Sequence, residues 1–121
     1  MNWTSLALVA VGGALGSVAR AAVAWMIPAG RLPWATILVN VVGSLLIGWL
    51  IARLSPLNEE NLGGYSFWVF GICGGFTTFS SFSWQSLELM QKGEWGSAAA
   101  NILLSVTLCI LATWCGWRLA R

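Results

Sequence analysis

Four apolar runs take up nearly all of this chain, at about Trp3–Ile27, Trp34–Ala52, Tyr65–Leu89 and Trp95–Trp117. A helix that crosses a bilayer needs about 20 such residues. Four crossings and their turns therefore use almost the whole length of 121 residues. Charged side chains make up 8% of the chain, against roughly 25% in a soluble domain, which excludes a water-soluble fold. The expected architecture is a single all-α integral membrane domain, residues 1–121, with four transmembrane helices over 3–27, 34–52, 65–89 and 95–117. Binding or chemistry must then take place at membrane depth.

The same composition narrows the function. Net charge is +2 with no basic run, so nucleic acid is not an expected partner. Cys73, Cys109 and Cys115 lie in apolar segments without a CxxC pair and read as buried free thiols. Histidine is absent, and Glu59, Glu60, Glu88 and Glu94 fall near expected turns, which leaves general acid–base catalysis almost without candidates. No GxxxxGK[ST] is present, so an ATP-driven pump has no support. The N-terminal run has no basic leader and is too long for a cleavable signal, and is expected to stay as the first helix.

Within the first segment, Gly12 and Gly16 form a GxxxG, a spacing that lets helix backbones approach closely in lipid. Arg20 falls about 10 Å inside the end of that helix at 1.5 Å per residue. It reads either as an arginine snorkelling to the interface or as a fixed charge that draws anions to a vestibule. Pro28, Gly30 and Pro33 mark a turn. In the second segment Thr36, Asn40, Gly43, Ser44 and Gly48 share one face. Asn40 is either interhelical glue or a pore donor whose amide faces an anion. Arg53–Gly64 is expected to be a loop. The last segment carries Ser97, Asn101, Ser105, Cys109 and Thr113 at four-residue spacing, a second stripe that serves as packing seam or pore wall. Trp3, Trp34, Trp68, Trp95 and Trp117 lie near expected helix ends, as interfacial tryptophans do.

Four crossings put Arg53, Arg118 and Arg121 on one side, and Arg31 and Lys92, with Arg20 nearby, on the other. That balance gives almost no positive-inside bias. A chain without a preferred orientation can insert both ways, and four thin helices enclose little. An antiparallel homodimer is therefore expected.

The third segment contains Gly74-Gly75-Phe76-Thr77-Thr78-Phe79-Ser80-Ser81-Phe82, a poor lipid-facing helix. Irregular backbone at membrane depth is tolerated only where protein or a polar cavity satisfies its freed groups. The expectation is a helix break at 74–78, stopping near Gly74 and restarting near Thr78. Free carbonyls of the broken turn suit a hard cation such as sodium, and the restarted half presents N–H groups and a positive dipole end to an anion. Phe79 and Phe82, three apart, share a face, and aromatic edges are electropositive. Thr78, Ser80 and Ser81 add hydroxyls. Many dipoles and few full charges suit a route that an ion must leave quickly.

GGFTTFSSFS at Gly74–Ser83, with GGALGSVAR at Gly12–Arg20 and TILVNVVGSLLIG at Thr36–Gly48, closely resembles the signatures of the Fluc (CrcB) family of bacterial fluoride channels. The resemblance covers nearly the whole chain. It implies a dual-topology antiparallel homodimer with two fluoride pathways in the bacterial inner membrane, multi-pass. By position it implies that the Gly74 and Thr77 carbonyls hold a structural sodium at the dimer interface. It likewise implies that Phe79 and Phe82 line the fluoride route, that Asn40 is the pore asparagine and that Arg20 is the vestibule arginine. Thr36 and Ser105 match further polar pore positions, with Thr78, Ser80 and Ser81 on the hydroxyl-rich side. Ser81, Gln85, Asn101 and Cys109 depart from the family's usual residue types. The expected function is passive export of cytoplasmic fluoride. The rivals are a small multidrug-type proton-coupled exporter, which wants a membrane-embedded carboxylate, and a membrane scaffold subunit whose stripes only pack.

Overall fold

The computed structural model describes all residues, Met1–Arg121, and is all-helical. Helix α1 spans Trp3–Met26 and is capped by Asn2, whose Oδ1 accepts from the Ser5 N–H at 2.8 Å. Helix α2 spans Trp34–Leu54. Helical backbone resumes as three abutting pieces, Leu62–Tyr65, the π-helical Ser66–Cys73 and Gly74–Phe76, which together form α3. After two extended residues, α4 spans Phe79–Gln91 and α5 spans Trp95–Leu119. Helices α1, α2 and α5 are each long and apolar enough to cross a membrane. The third segment is instead a bent piece, α3 joined end to end with α4.

The stretch expected to unwind at 74–78 departs from helix later and more briefly. The Thr77 N–H still reaches the Cys73 carbonyl at 3.0 Å, so helical bonding passes through the glycine pair. Only Thr77 (φ −87°, ψ 159°) and Thr78 (φ −153°, ψ 117°) are extended, because α2 supplies Thr78 with other partners. The interval expected to be a loop at Arg53–Gly64 is also shorter. Helix α2 continues through Leu54, with the Arg53 guanidinium over the Trp49 ring at 5.5 Å, and α3 starts at Leu62. Asn61 closes the turn between them by donating to the carbonyls of Leu54 at 2.7 Å and Pro56 at 3.0 Å.

Two parallel helix pairs make up the fold. Contacts of Gly12 with Gly71 and of Gly16 with Gly75 keep a constant offset along α1 and α3, which fixes their common direction. A Cβ at Gly16 would meet the Ile72 carbonyl, and one at Gly75 the Gly13 carbonyl. The GxxxG of α1 thus packs on a second one, Gly71 and Gly75, backbone against backbone. In the other pair, Arg31 bonds Ser97 at one end, and Gly48 lies on the Thr113 carbonyl near the other. Helices α2 and α5 are therefore parallel as well, with Gly116 seated against Leu45. The small core of Leu50, Val69 and Cys73 joins α2 to α3. Gly93, at φ 77°, makes the tight turn from α4 to α5.

Candidate functional site

Where the two pairs meet, an open groove of about 610 Å³ runs between α2, the α3–α4 bend and α5. Its polar lining comes from Asn40, Ser44, Thr77, Thr78 and Ser105, and its aromatic lining from Tyr65, Phe70, Phe79 and Phe82. One interaction organises it. The Asn40 side chain takes both backbone groups of Thr78: its Oδ1 accepts the Thr78 N–H at 2.7 Å, and its Nδ2 donates to the Thr78 carbonyl at 3.0 Å. Backbone groups that leave a helix at membrane depth need such partners, so Asn40 explains why the chain can extend at this point. It also keeps one amide N–H uncommitted in the groove wall. Gly43, one turn along α2, accommodates the Thr77 methyl, while Thr77 Oγ1 donates back to the Cys73 carbonyl at 2.8 Å.

Thr78 then starts α4. Its Oγ1 accepts the Ser81 N–H at 3.2 Å, an N-cap, and lies within hydrogen-bond reach of the Ser80 and Ser81 hydroxyls at 3.3 and 3.2 Å. The N–H groups of Phe79 and Ser80 find no acceptor in the chain, so the positive end of α4 remains unpaired. Phe79 and Phe82 stand with ring centroids 5.4 Å apart at 51°. Phe79 is 77% exposed, a large apolar surface beside a polar bend.

Carbonyls around the bend divide into two sets. Arg20 Nε donates to the Gly75 carbonyl at 2.9 Å, which ties the charge of α1 to the bend. The Gly74 and Thr77 carbonyls take no hydrogen bond from the chain, although a backbone acceptor at this depth ordinarily has a partner. Oxygen donors of that kind are what a hard cation takes up.

The structure brings Asn40, Gly74, Thr77, Thr78, Phe79, Phe82 and Ser105 to one groove. It does not bring all the sequence candidates there. Thr36 is buried away from the groove lining. Ser80 and Ser81 engage Thr78 instead, and Arg20 approaches the bend from α1. Of the α5 stripe, Ser105 and Cys109 face the groove, Ser97 receives Arg31 Nε at 3.0 Å, and Asn101 is fully buried. Sequence reading missed Ser86 and Tyr65, and named Ser44 only as a member of the α2 stripe. Ser86 bonds Asn101 at 2.9 Å, and no local pattern marks a serine whose partner lies on the next helix. Glu88 pairs with Lys92 at 3.3 Å at the exposed end of α4, so the groove contains no carboxylate.

Comparison with known proteins adds an independent line. A family model described as CrcB-like protein, Camphor Resistance (CrcB), matches residues 7–117. The chain is 44% identical over 113 residues to a protein of Opitutus terrae, covering 89% of this chain and 86% of that one. It is 47% identical over 116 residues to one of Paramagnetospirillum magneticum, covering 91% and 90%. With one of Nitrobacter winogradskyi it shares 43% over 126 residues, covering 100% and 98%. Each of these three proteins is named fluoride-specific ion channel FluC.

Proposed function

This chain belongs to the CrcB-like family, and on that premise we propose that it is a fluoride-selective channel that lets cytoplasmic fluoride leave passively. The observation that carries the reading is the convergence of Asn40, Phe79, Phe82 and Ser105 on one groove without a full charge in its lining. Fluoride that enters as neutral HF in acid surroundings dissociates inside and is trapped as the anion. An open pathway drains it down its gradient, aided by an inside-negative membrane potential. Amide, hydroxyl and aromatic-edge dipoles replace part of the ion's hydration, yet bind it weakly enough for release.

The conducting unit is an antiparallel, dual-topology homodimer in the bacterial inner membrane, with two pathways. Support comes from the groove, which one protomer leaves open, and from the even split of basic residues between the two faces. In this arrangement the Gly74 and Thr77 carbonyls hold a structural sodium ion at the dimer axis, and the unpartnered state of both carbonyls fits that role. Arg20, which holds the Gly75 carbonyl, stiffens the same turn. A C-terminal reporter is expected to give signal from both sides of the membrane, and signal from one side alone would exclude dual topology.

Liposomes that contain only this protein are expected to release fluoride rapidly and chloride hardly at all. Replacing sodium with a large organic cation should slow that release. Equal rates for the two halides, or none for fluoride, would defeat the channel reading. Proton-coupled drug export has no embedded carboxylate to work with, because Glu88 is spent on Lys92 at the helix end. A scaffold whose stripes only pack would give no halide flux in the same assay.

A further inference from the structure

Asn101 is fully buried at the centre of a hydrogen-bond chain whose polarity can be worked out link by link. Ser86 Oγ donates to the Phe82 carbonyl at 2.8 Å. Its only proton is then spent, so towards Asn101 it can only accept, and Asn101 Nδ2 donates to it at 2.9 Å. That orientation turns the other end of the amide, Oδ1, to Ser105, whose hydroxyl donates to it at 3.3 Å. All three protons point one way, from Ser105 towards the Phe82 carbonyl. Ser105 also lines the groove beside Phe82 and Asn40. What it shows there is oxygen lone pairs, the wrong end of the dipole for an anion.

We propose that Asn101 is a positioning residue for anion passage, holding the Ser105 proton out of the groove so that Ser105 must exchange its bond to Asn101 for one to the anion. The inference rests on the groove being the fluoride route. The Ser105–Asn101 bond, at 3.3 Å, is longer than the roughly 3.0 Å upper end of the usual hydroxyl range, and a long bond of this kind is the one to give way. Asn101 in this way sets a resistance at the middle of the pathway without touching the ion. Ser86 fixes the amide's orientation through its own bond to the Phe82 carbonyl, and so belongs to the same device.

The test is fluoride efflux per reconstituted dimer for Asn101→Leu and for Ser86→Ala, each alone and combined with Ser105→Ala. Asn101→Leu removes the acceptor and frees the Ser105 proton. Ser86→Ala leaves Nδ2 without its partner, so the amide can turn, present N–H to Ser105 and free the same proton. Each is expected to speed fluoride release about two- to tenfold, the range of one ordinary hydrogen bond, and to do nothing once Ser105→Ala is present. A purely structural role would alter flux alike with and without the Ser105 hydroxyl. If Asn101→Leu does not yield a dimer, Ser86→Ala carries the test alone. Flux that is unchanged or lower, or a gain that persists in Ser105→Ala, overturns the proposal while the wild-type rate still upholds the channel. Wild-type protein without fluoride efflux would remove the channel reading and this inference together.

Discussion

Liposomes carrying Asn40→Asp are expected to release fluoride about a thousandfold more slowly than wild type. A carboxylate in the groove wall repels an anion passing within roughly 4 Å by about 4 kcal/mol at an effective dielectric of 20, and each 1.4 kcal/mol is a factor of about ten. The substitution also changes the bend. The Thr78 N–H keeps its acceptor, but the Thr78 carbonyl, 3.0 Å from Nδ2 in the wild type, faces an oxygen instead of a donor. Because the charge appears only on deprotonation, the block deepens as pH rises. Size-exclusion chromatography separates a blocked but folded variant from a misfolded one. A wild-type rate from an intact variant would take Asn40 off the anion route.

The second large effect concerns the phenylalanines. Phe82→Ile, or Phe79→Ile, keeps an apolar side chain beside the bend but removes the electropositive ring edge. Aromatic edge contacts are worth about 0.5–1.5 kcal/mol, so each substitution is expected to slow fluoride by about two- to tenfold, and the pair together by more. Phe79 is largely exposed and its loss costs the single protomer little packing, so the protomer fold should survive. An unchanged rate in both variants would reduce the rings to packing.

Much of the site was legible in the chain because its chemistry is out of place. An asparagine on an apolar helix, and hydroxyls and phenylalanines after a glycine pair, are conspicuous at membrane depth. Their partners were less so. Nothing local tells that Asn40 grips Thr78, that Arg20 reaches the Gly75 carbonyl, or that Ser86 supports Asn101, since each pair is joined by helix packing across a long stretch of chain. The glycines of α1 were visible as a motif, whereas of their counterparts Gly75 was hidden within the stretch read for its break and Gly71 lay just before it. The π-helical Ser66–Cys73 was illegible for a different reason. Hydrophobic periodicity reveals helix type only when one face is polar, and this run is apolar nearly all round. Thr36 shows the limit of stripe reasoning, for it shares a face with Asn40 yet is buried outside the groove lining.

The division into two parallel pairs has a mechanical consequence. Within each pair, glycines bring backbones into contact, and backbones barely compress. Helices α1 and α2 touch only lightly, and between the pairs the polar ties are Asn40 on Thr78 and Asn101 on Ser86, with the Thr77 methyl packed in its glycine notch beside the first. The protomer therefore resembles two stiff staves lashed at a few points, and a load across it is taken up at those points. Shear of one pair past the other would widen or pinch the groove before bending any helix. Membrane tension and bilayer thickness, which act on the tilt of each stave, thus converge on the residues that line the groove.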